Sequence, residues 1–241
     1  GTAMASLIAG DELGVARNAK IGVVKVSGST GSADISDVAK GVNSMFTHRA
    51  WETAKDSGGT YATAVALMAF TFPKSEALDR LITCMWNRRF IVVAAAGNAG
   101  GDVDNYSPGG LNSILTVGAS DSSDNVPAFS NDAGAVVERG TGLQTNGGEE
   151  VDVFAPGVAL NLATISNRNE SGGYDAVADS DLYEVGSGTS ASAAIVAGVS
   201  AIAVQRNPGY KAEQVKDFVQ SQSLTGMLFQ DPGLYSTTPN N

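Results

Sequence analysis

Apolar residues along the chain arrive in two alternating rhythms. Short unbroken runs, Ile21-Gly22-Val23-Val24-Lys25-Val26, Ala64 to Phe70, Ile91 to Ala95, Ile114 to Val117 and Val151 to Phe154, sit between Gly, Pro or polar turn residues and predict strands. Elsewhere Ile35, Val38, Val42, Met45 and Phe46 recur at helical spacing, which predicts a helix from Asp34 towards Ala54, stopped by Ser57-Gly58-Gly59. Ser75 to Arg89, behind Pro73, predicts a second helix. Thr189 to Val204 and Lys211 to Gln222, on either side of Asn207-Pro208-Gly209, predict two more. Strand and helix therefore alternate, as in an α/β protein with a mostly parallel sheet. The strands are apolar throughout instead of at every second position, so helices are expected on both faces. The polar stretch Asn161 to Asp181 reads as an exposed loop. One domain is expected over residues 1–222, followed by an irregular tail, 223–241, that carries Pro232 and Pro239 but no periodicity.

Composition narrows the partners. In 241 residues there are 25 acidic and 15 basic side chains, a formal charge of -10, which argues against nucleic acid and against anionic membrane surfaces. No apolar run reaches the length of a membrane helix. Twenty-nine glycines with only 17% charged residues fit tight turns around a buried sheet better than a disordered chain. Cys84 is the only cysteine, which excludes an intrachain disulfide or a CxxC site, and its neighbours Leu81, Ile82 and Met85 make a buried thiol the expectation. The sequence starts at Gly1 without a basic n-region, so no signal peptide is visible in it. That leaves the compartment unknown.

Two segments carry candidate chemistry. Ile91 to Ala95 runs into Ala96-Gly97-Asn98, which sets an amide side chain at the carboxyl edge of a buried strand, where open α/β sheets bind ligands. Gly186-Ser187-Gly188-Thr189-Ser190 delivers a hydroxyl to a helix N-terminus, where free N–H groups and the helix dipole favour negative charge. Taken singly, each is usually a turn or a helix cap. Taken together, Ser190 is a candidate nucleophile, with its own N–H and the Asn98 amide as oxyanion donors. A serine needs a base to take its proton, and the sole histidine, His48, falls inside the first predicted helix without a turn to bring it to a strand edge. Asp121, Asp124 and Asp152 have no better claim as the orienting acid. A nucleotide-phosphate site at Gly186 to Ser190 lacks the Lys of a P-loop.

The combination resembles the subtilisin-like serine proteases. Ile91 to Asn98 is similar to that family's oxyanion strand and Gly188-Thr189-Ser190 to its nucleophile motif. Between them Asn105-Tyr106-Ser107-Pro108, Ile114 to Ala119, Phe129-Ser130-Asn131 and Val151 to Gly157 follow in the family's order. The resemblance implies a three-layer subtilisin-like fold, a serine endopeptidase acting through an acyl-enzyme, and substrate contacts at Ala95, Ala96, Gly97, Gly188 and Thr189. Its partners would be peptides or proteins, with no cofactor. Some relatives bind calcium, but Asp102-Val103-Asp104 and Glu149-Glu150-Val151-Asp152 lack regular ligand spacing, so solvated loop charges are expected there instead. By resemblance secretion is plausible. Gly1 to Gly10 resembles the segment directly after the family's catalytic histidine, so the expectation is an incomplete triad: the Asp and His, with the N-terminal strand region, would lie on a preceding segment. This chain alone would then be nearly inert. The alternative is a noncatalytic module that binds peptides in the same cleft. Departures occur at Ala191, where the family usually has Met, at Ala194-Ile195, where it has Pro-His, and at Ala66 to Phe70, where it has a Ser-Leu-Gly-Gly-like strand.

Overall fold

A computed structural model describes residues 1–28, 31–47, 63–129, 143–144, 150–164 and 183–228. Four parallel strands, β1 (Ala64–Met68), β3 (Phe90–Ala95), β5 (Leu115–Ser120) and β8 (Val153–Pro156), form the central sheet in the order β1-β3-β5-β8. Their side chains alternate faces, and both faces are apolar. Ile91, Val93 and Ala95 of β3 pack with Val117 and Val153 against helices α4 (Thr189–Arg206) and α5 (Ala212–Gln222). Val92 and Ala94 point the other way, to Val38 and Val42 of α2 (Ile35–Thr47) and to Leu78, Ile82 and Met85 of α3 (Glu76–Asn87). The run that reads as continuously apolar is thus a period-two strand buried twice.

Local chemistry sets the helix ends. The Ser75 hydroxyl accepts the Leu78 N–H at 3.4 Å and starts α3, while the Gln214 side chain accepts the Lys211 N–H at 3.0 Å and starts α5. Helix α4 is lined by alanine, serine and glycine, so its neighbours approach closely. At Gly198 a Cβ would come within 2.8 Å of the Val15 side chain. Helix α1 (Thr2–Ala9) lies beside it, with Leu7 packed on Ala191, Ala194 and Leu162.

Smaller ribbons complete the fold: β2 (Phe72–Pro73) with β4 (Tyr106–Ser107), β6 (Ala128–Phe129) with β7 (Leu143–Gln144), and β9 (Leu160–Ala163) with β10 (Tyr183–Gly186). The last pair takes Asn161 to Ala163, the start of the predicted loop from Asn161 to Asp181, into a strand; the loop from 165 onwards lies outside the described residues. Ala163 N–H donates to the Ser6 hydroxyl at 3.1 Å, which ties β9 to α1, and β10 leads straight into α4.

Two further expectations change. Ile21–Val26 forms no strand ladder among the described residues, and Val23 is 80% exposed. Its inner side chains still lie against α2, since a Cβ on Gly41 would meet Val26 and Val24 Cγ1 at 2.5 and 3.1 Å. β-propensity makes a segment extended; only a partner makes it a strand. Cys84 is half-buried, not enclosed, because the inward face of α3 is taken by Leu78, Ile82 and Met85. The predicted continuation of α2 towards Ala54 and most of the 223–241 tail lie outside the described residues.

Candidate active site

Three backbone turns at the carboxyl edge of the sheet bring the two candidate segments together. After β3, Gly97 takes a φ of 105°, which turns the chain so that Asn98 faces the start of α4. After β10, Gly188 has φ 148° and ψ 158°, a conformation open essentially to glycine alone. Its N–H donates to Gly157 O at 2.7 Å, at the turn that follows β8. At Gly157 a Cβ would collide with the Ser192 hydroxyl and the Ala119 side chain; at Gly97 and Gly188 it is the positive φ that favours glycine.

Asn98 is joined directly to α4. Its Oδ1 accepts from both the Thr189 N–H and the Thr189 hydroxyl, each at 3.0 Å, and the Thr189 Oγ1 accepts the Gly97 N–H at 3.1 Å. A Cβ built on Gly188 would lie 3.4 Å from Asn98 Nδ2 and 3.9 Å from both Asn98 Oδ1 and Ser190 N, so the Asn98 amide and the Ser190 N–H stand on one side of the Gly188 turn. First-turn N–H groups have no acceptor within their own helix, and α4, 18 residues long, adds the positive end of its dipole. The arrangement suits an oxyanion.

Gly188→Ala tests this geometry. The methyl would stand beside the two donors on a glycine-only backbone, so a loss of about 1–3 kcal/mol is expected in denaturant unfolding. An unchanged midpoint would show that the turn tolerates a side chain.

The Ser190 hydroxyl is half-buried and donates to Ala69 O at 3.2 Å, just beyond β1. A carbonyl oxygen holds that proton but does not remove it. His48 lies outside the described residues. Two of the candidate acids, Asp152 and Asp121, are engaged elsewhere. Asp152 stands at the amino edge of β8, the opposite edge of the sheet from Ser190, where it accepts from Lys216 Nζ, Gln220 Nε2 and Thr116 N, each at 2.8 Å. Burial pushes its carboxyl above the ordinary range, against the pull of the Lys216 ammonium and the Thr116 N–H. Asp121 is also partly desolvated, but hydrogen bonds from Asn125 and Ser123 outweigh that and hold its carboxyl low. Asp102 caps a short turn by accepting the Asp104 N–H at 3.0 Å. Among the described residues no three His, Cys, Asp or Glu side chains stand close enough to hold a metal ion.

Of the residues expected to touch substrate, Ala95, Ala96, Gly97, Gly188 and Thr189 are all buried, whereas Asn98 and Ser190 are partly open. The Ala69 carbonyl was not foreseen, and no side-chain pattern announces a backbone acceptor. Gly157 had a signal in the Pro156-Gly157 turn. The bridging role of Thr189 had none, because it depends on the fold of β3 beside α4.

Comparisons with known proteins bear on the family and the fold. The model of the subtilase family matches residues 1–235. Alkaline serine exoprotease A of Vibrio alginolyticus is 32% identical over 99% of this chain and 38% of its own length. A cuticle-degrading serine protease of Arthrobotrys oligospora is 30% identical over 95% of the chain and 47% of its own. Cerevisin of Saccharomyces cerevisiae is 34% identical over 100% and 35%. The chain therefore spans less than half of each of these relatives. The crystal structure of a cold adapted subtilisin-like serine proteinase superposes with a TM-score of 0.71 at 29% identity, covering 94% of this chain and 68% of that one. With a parallel sheet between helical layers, an asparagine after the second sheet strand and a serine at the head of the buried helix, the chain belongs to the subtilase family of serine proteases.

Proposed function

We propose that this chain carries the nucleophile and oxyanion hole of a serine endopeptidase, and that the base and its carboxylate come from a segment outside residues 1–241. The observation that carries the reading is that Asn98, held to Thr189 by its Oδ1, stands at the head of the helix that presents the Ser190 hydroxyl and N–H. Ser190 Oγ attacks the scissile carbonyl carbon as the base takes its proton; the alkoxide rests between the two donors; the C–N bond breaks as the proton passes to the amine. Water then hydrolyses the acyl-enzyme by the same route. The substrate is an extended peptide or protein. One relative acts by name on cuticle, a material outside cells, which supports secretion.

The edge of the central sheet supports this reading. In the central sheet β1 is paired on one side only among the described residues. Helix α2 covers β1 and also touches Val24 and Val26 of the segment Ile21–Val26, which carries exposed Ile21, Val23 and Val24. Apolar extended backbone without a ladder is normally paired or covered. The noncatalytic alternative has one point in its favour, the engagement of Ser190 by Ala69.

Ester hydrolysis separates these readings. Residues 1–241 alone are expected to show no turnover of a chromogenic peptide ester, and the full-length protein is expected to show turnover. Protease-like rates from 1–241 alone, abolished by Ser190→Ala, would mean that no external base is needed; an inert full-length protein that still binds peptide would favour the binding module.

A further inference from the structure

We infer that Ser192 is a positioning residue, whose buried hydroxyl ties the first turn of α4 to the central sheet and so fixes where the Ser190 N–H and hydroxyl stand. This inference rests on the protease reading above and adds a residue to it. Ser192 is fully buried, and its hydroxyl donates to Pro156 O at 3.1 Å. A helical turn takes about 3.6 residues, so residues two apart face nearly opposite sides. Ser190 looks to the cleft and Ala69 O, and Ser192 into the protein. Ser192 therefore acts on the reaction through backbone and never on the substrate.

The first turn of α4 needs that tie because its own closure is weak. Thr189 N–H goes to Asn98 Oδ1 at 3.0 Å, and Ala191 N–H reaches back to Gly188 O at 3.0 Å. The first bond of full α-helical span, from Ser192 N–H to the same Gly188 oxygen, is 3.5 Å long. A bond that long, to an oxygen already accepting another N–H, holds a turn loosely. Two consecutive carbonyls outside the helix supply the rest: Gly157 O accepts the Gly188 N–H at 2.7 Å, and Pro156 O accepts the Ser192 hydroxyl. Their donors lie on either side of Ser190 in the chain, so the pair brackets it. The acceptors are themselves pinned to the sheet, since Pro156 pairs with Ser120 of β5 and the Gly157 N–H donates to Ser120 O at 3.0 Å. The approach leaves no slack, because a Cβ on Gly157 would collide with the Ser192 hydroxyl. The helix start thus takes its position from the sheet through one backbone bond and one side-chain bond, and substitution can remove the second alone.

The test uses the full-length protein and a chromogenic peptide ester. Ser192→Ala, which loses only the hydroxyl, is expected to lower kcat about tenfold with KM unchanged, less than the roughly 10²-fold that a misplacement of about 1 Å can cost. Ser200→Ala is the matched control. Ser200 lies on the same helix and is also fully buried, but its hydroxyl has no hydrogen-bond partner among the described residues, so kcat is expected to be unchanged. No loss in Ser192→Ala, or an equal loss in both variants, overturns the proposal. Backbone amide exchange gives a readout that does not need turnover: in Ser192→Ala the Gly188 and Ala191 amides are expected to exchange about tenfold faster while those of β3 keep their rates, as expected of a local opening. Unchanged exchange at Gly188 and Ala191, or a rise shared equally by β3, which would mark a loss of general stability only, also overturns it. A full-length protein without esterase activity would remove the protease reading alone, and the exchange rates at Gly188 and Ala191 would then decide the role of Ser192.

Discussion

Ser190→Ala in the full-length protein is expected to cut kcat for peptide ester hydrolysis about 10⁶-fold, the scale established for subtilisin itself. The structure argues for so complete a loss because no neighbouring hydroxyl can take over. Ser192 is fully buried and donates to Pro156 O at 3.1 Å. Ser187 accepts the Ala159 N–H at 2.9 Å on the far side of the Gly188 turn. The Thr189 hydroxyl is committed to Asn98. What remains is the oxyanion hole, which alone retains roughly 10³–10⁴-fold over water. Binding does not depend on the hydroxyl, so KM is expected to move little. A folded Ser190→Ala protein with more than a trace of hydrolysis would place the nucleophile elsewhere.

The second large effect concerns stability. Asp152→Ala is expected to destabilise the fold by about 3–5 kcal/mol in denaturant unfolding, the cost of breaking a buried charged pair by removing one partner. Asp152 is 6% exposed and accepts three hydrogen bonds from two elements, Thr116 of β5 and Lys216 and Gln220 of α5. Removing it strands the Thr116 N–H in the sheet and leaves the Lys216 ammonium, itself 13% exposed, with only the carbonyls of Asn112 and Ile114 at 2.6 Å. Exposed ion pairs of the same length, such as Lys40–Asp37 at 2.8 Å, have no such leverage because water replaces the partner. Asp37→Ala is the matched control, with an expected change near the exposed-pair range of about 0–1 kcal/mol. Equal effects at the two sites would show that the Asp152 cluster adds nothing beyond a surface pair.

Much of the scaffold was legible in the sequence, and the failures have a common cause. Helices were read well where their signals are local: Ser75 as a cap before α3, and the small-residue run of α4. Strands β3, β5 and β8 were found because burial on both faces leaves an unbroken apolar run. Strands β9 and β10 were missed because each pairs once and alternates, Leu160 and Leu162 about Asn161 and Tyr183 and Val185 about Glu184, inside a polar neighbourhood. The Ile21–Val26 run was over-read for the opposite reason, since its β-propensity was legible but its hydrogen-bond partners were not.

The sequence by itself determined the fold class, the family, and the residue types at the oxyanion site, because strand runs, helical periods and the Gly97-Asn98 and Gly188-Thr189-Ser190 motifs are each contained within a few residues. The tertiary structure alone decided how those residues work: which way the Asn98 amide faces, that the Ser190 proton rests on Ala69, and that Asp152 belongs to a buried lock on the opposite edge of the sheet. These are contacts across 91, 121 and 36 residues of chain. A motif names the groups that meet there, but their orientation is set by sheet register and by the close approach of a small-residue helix, and neither is encoded in any single segment.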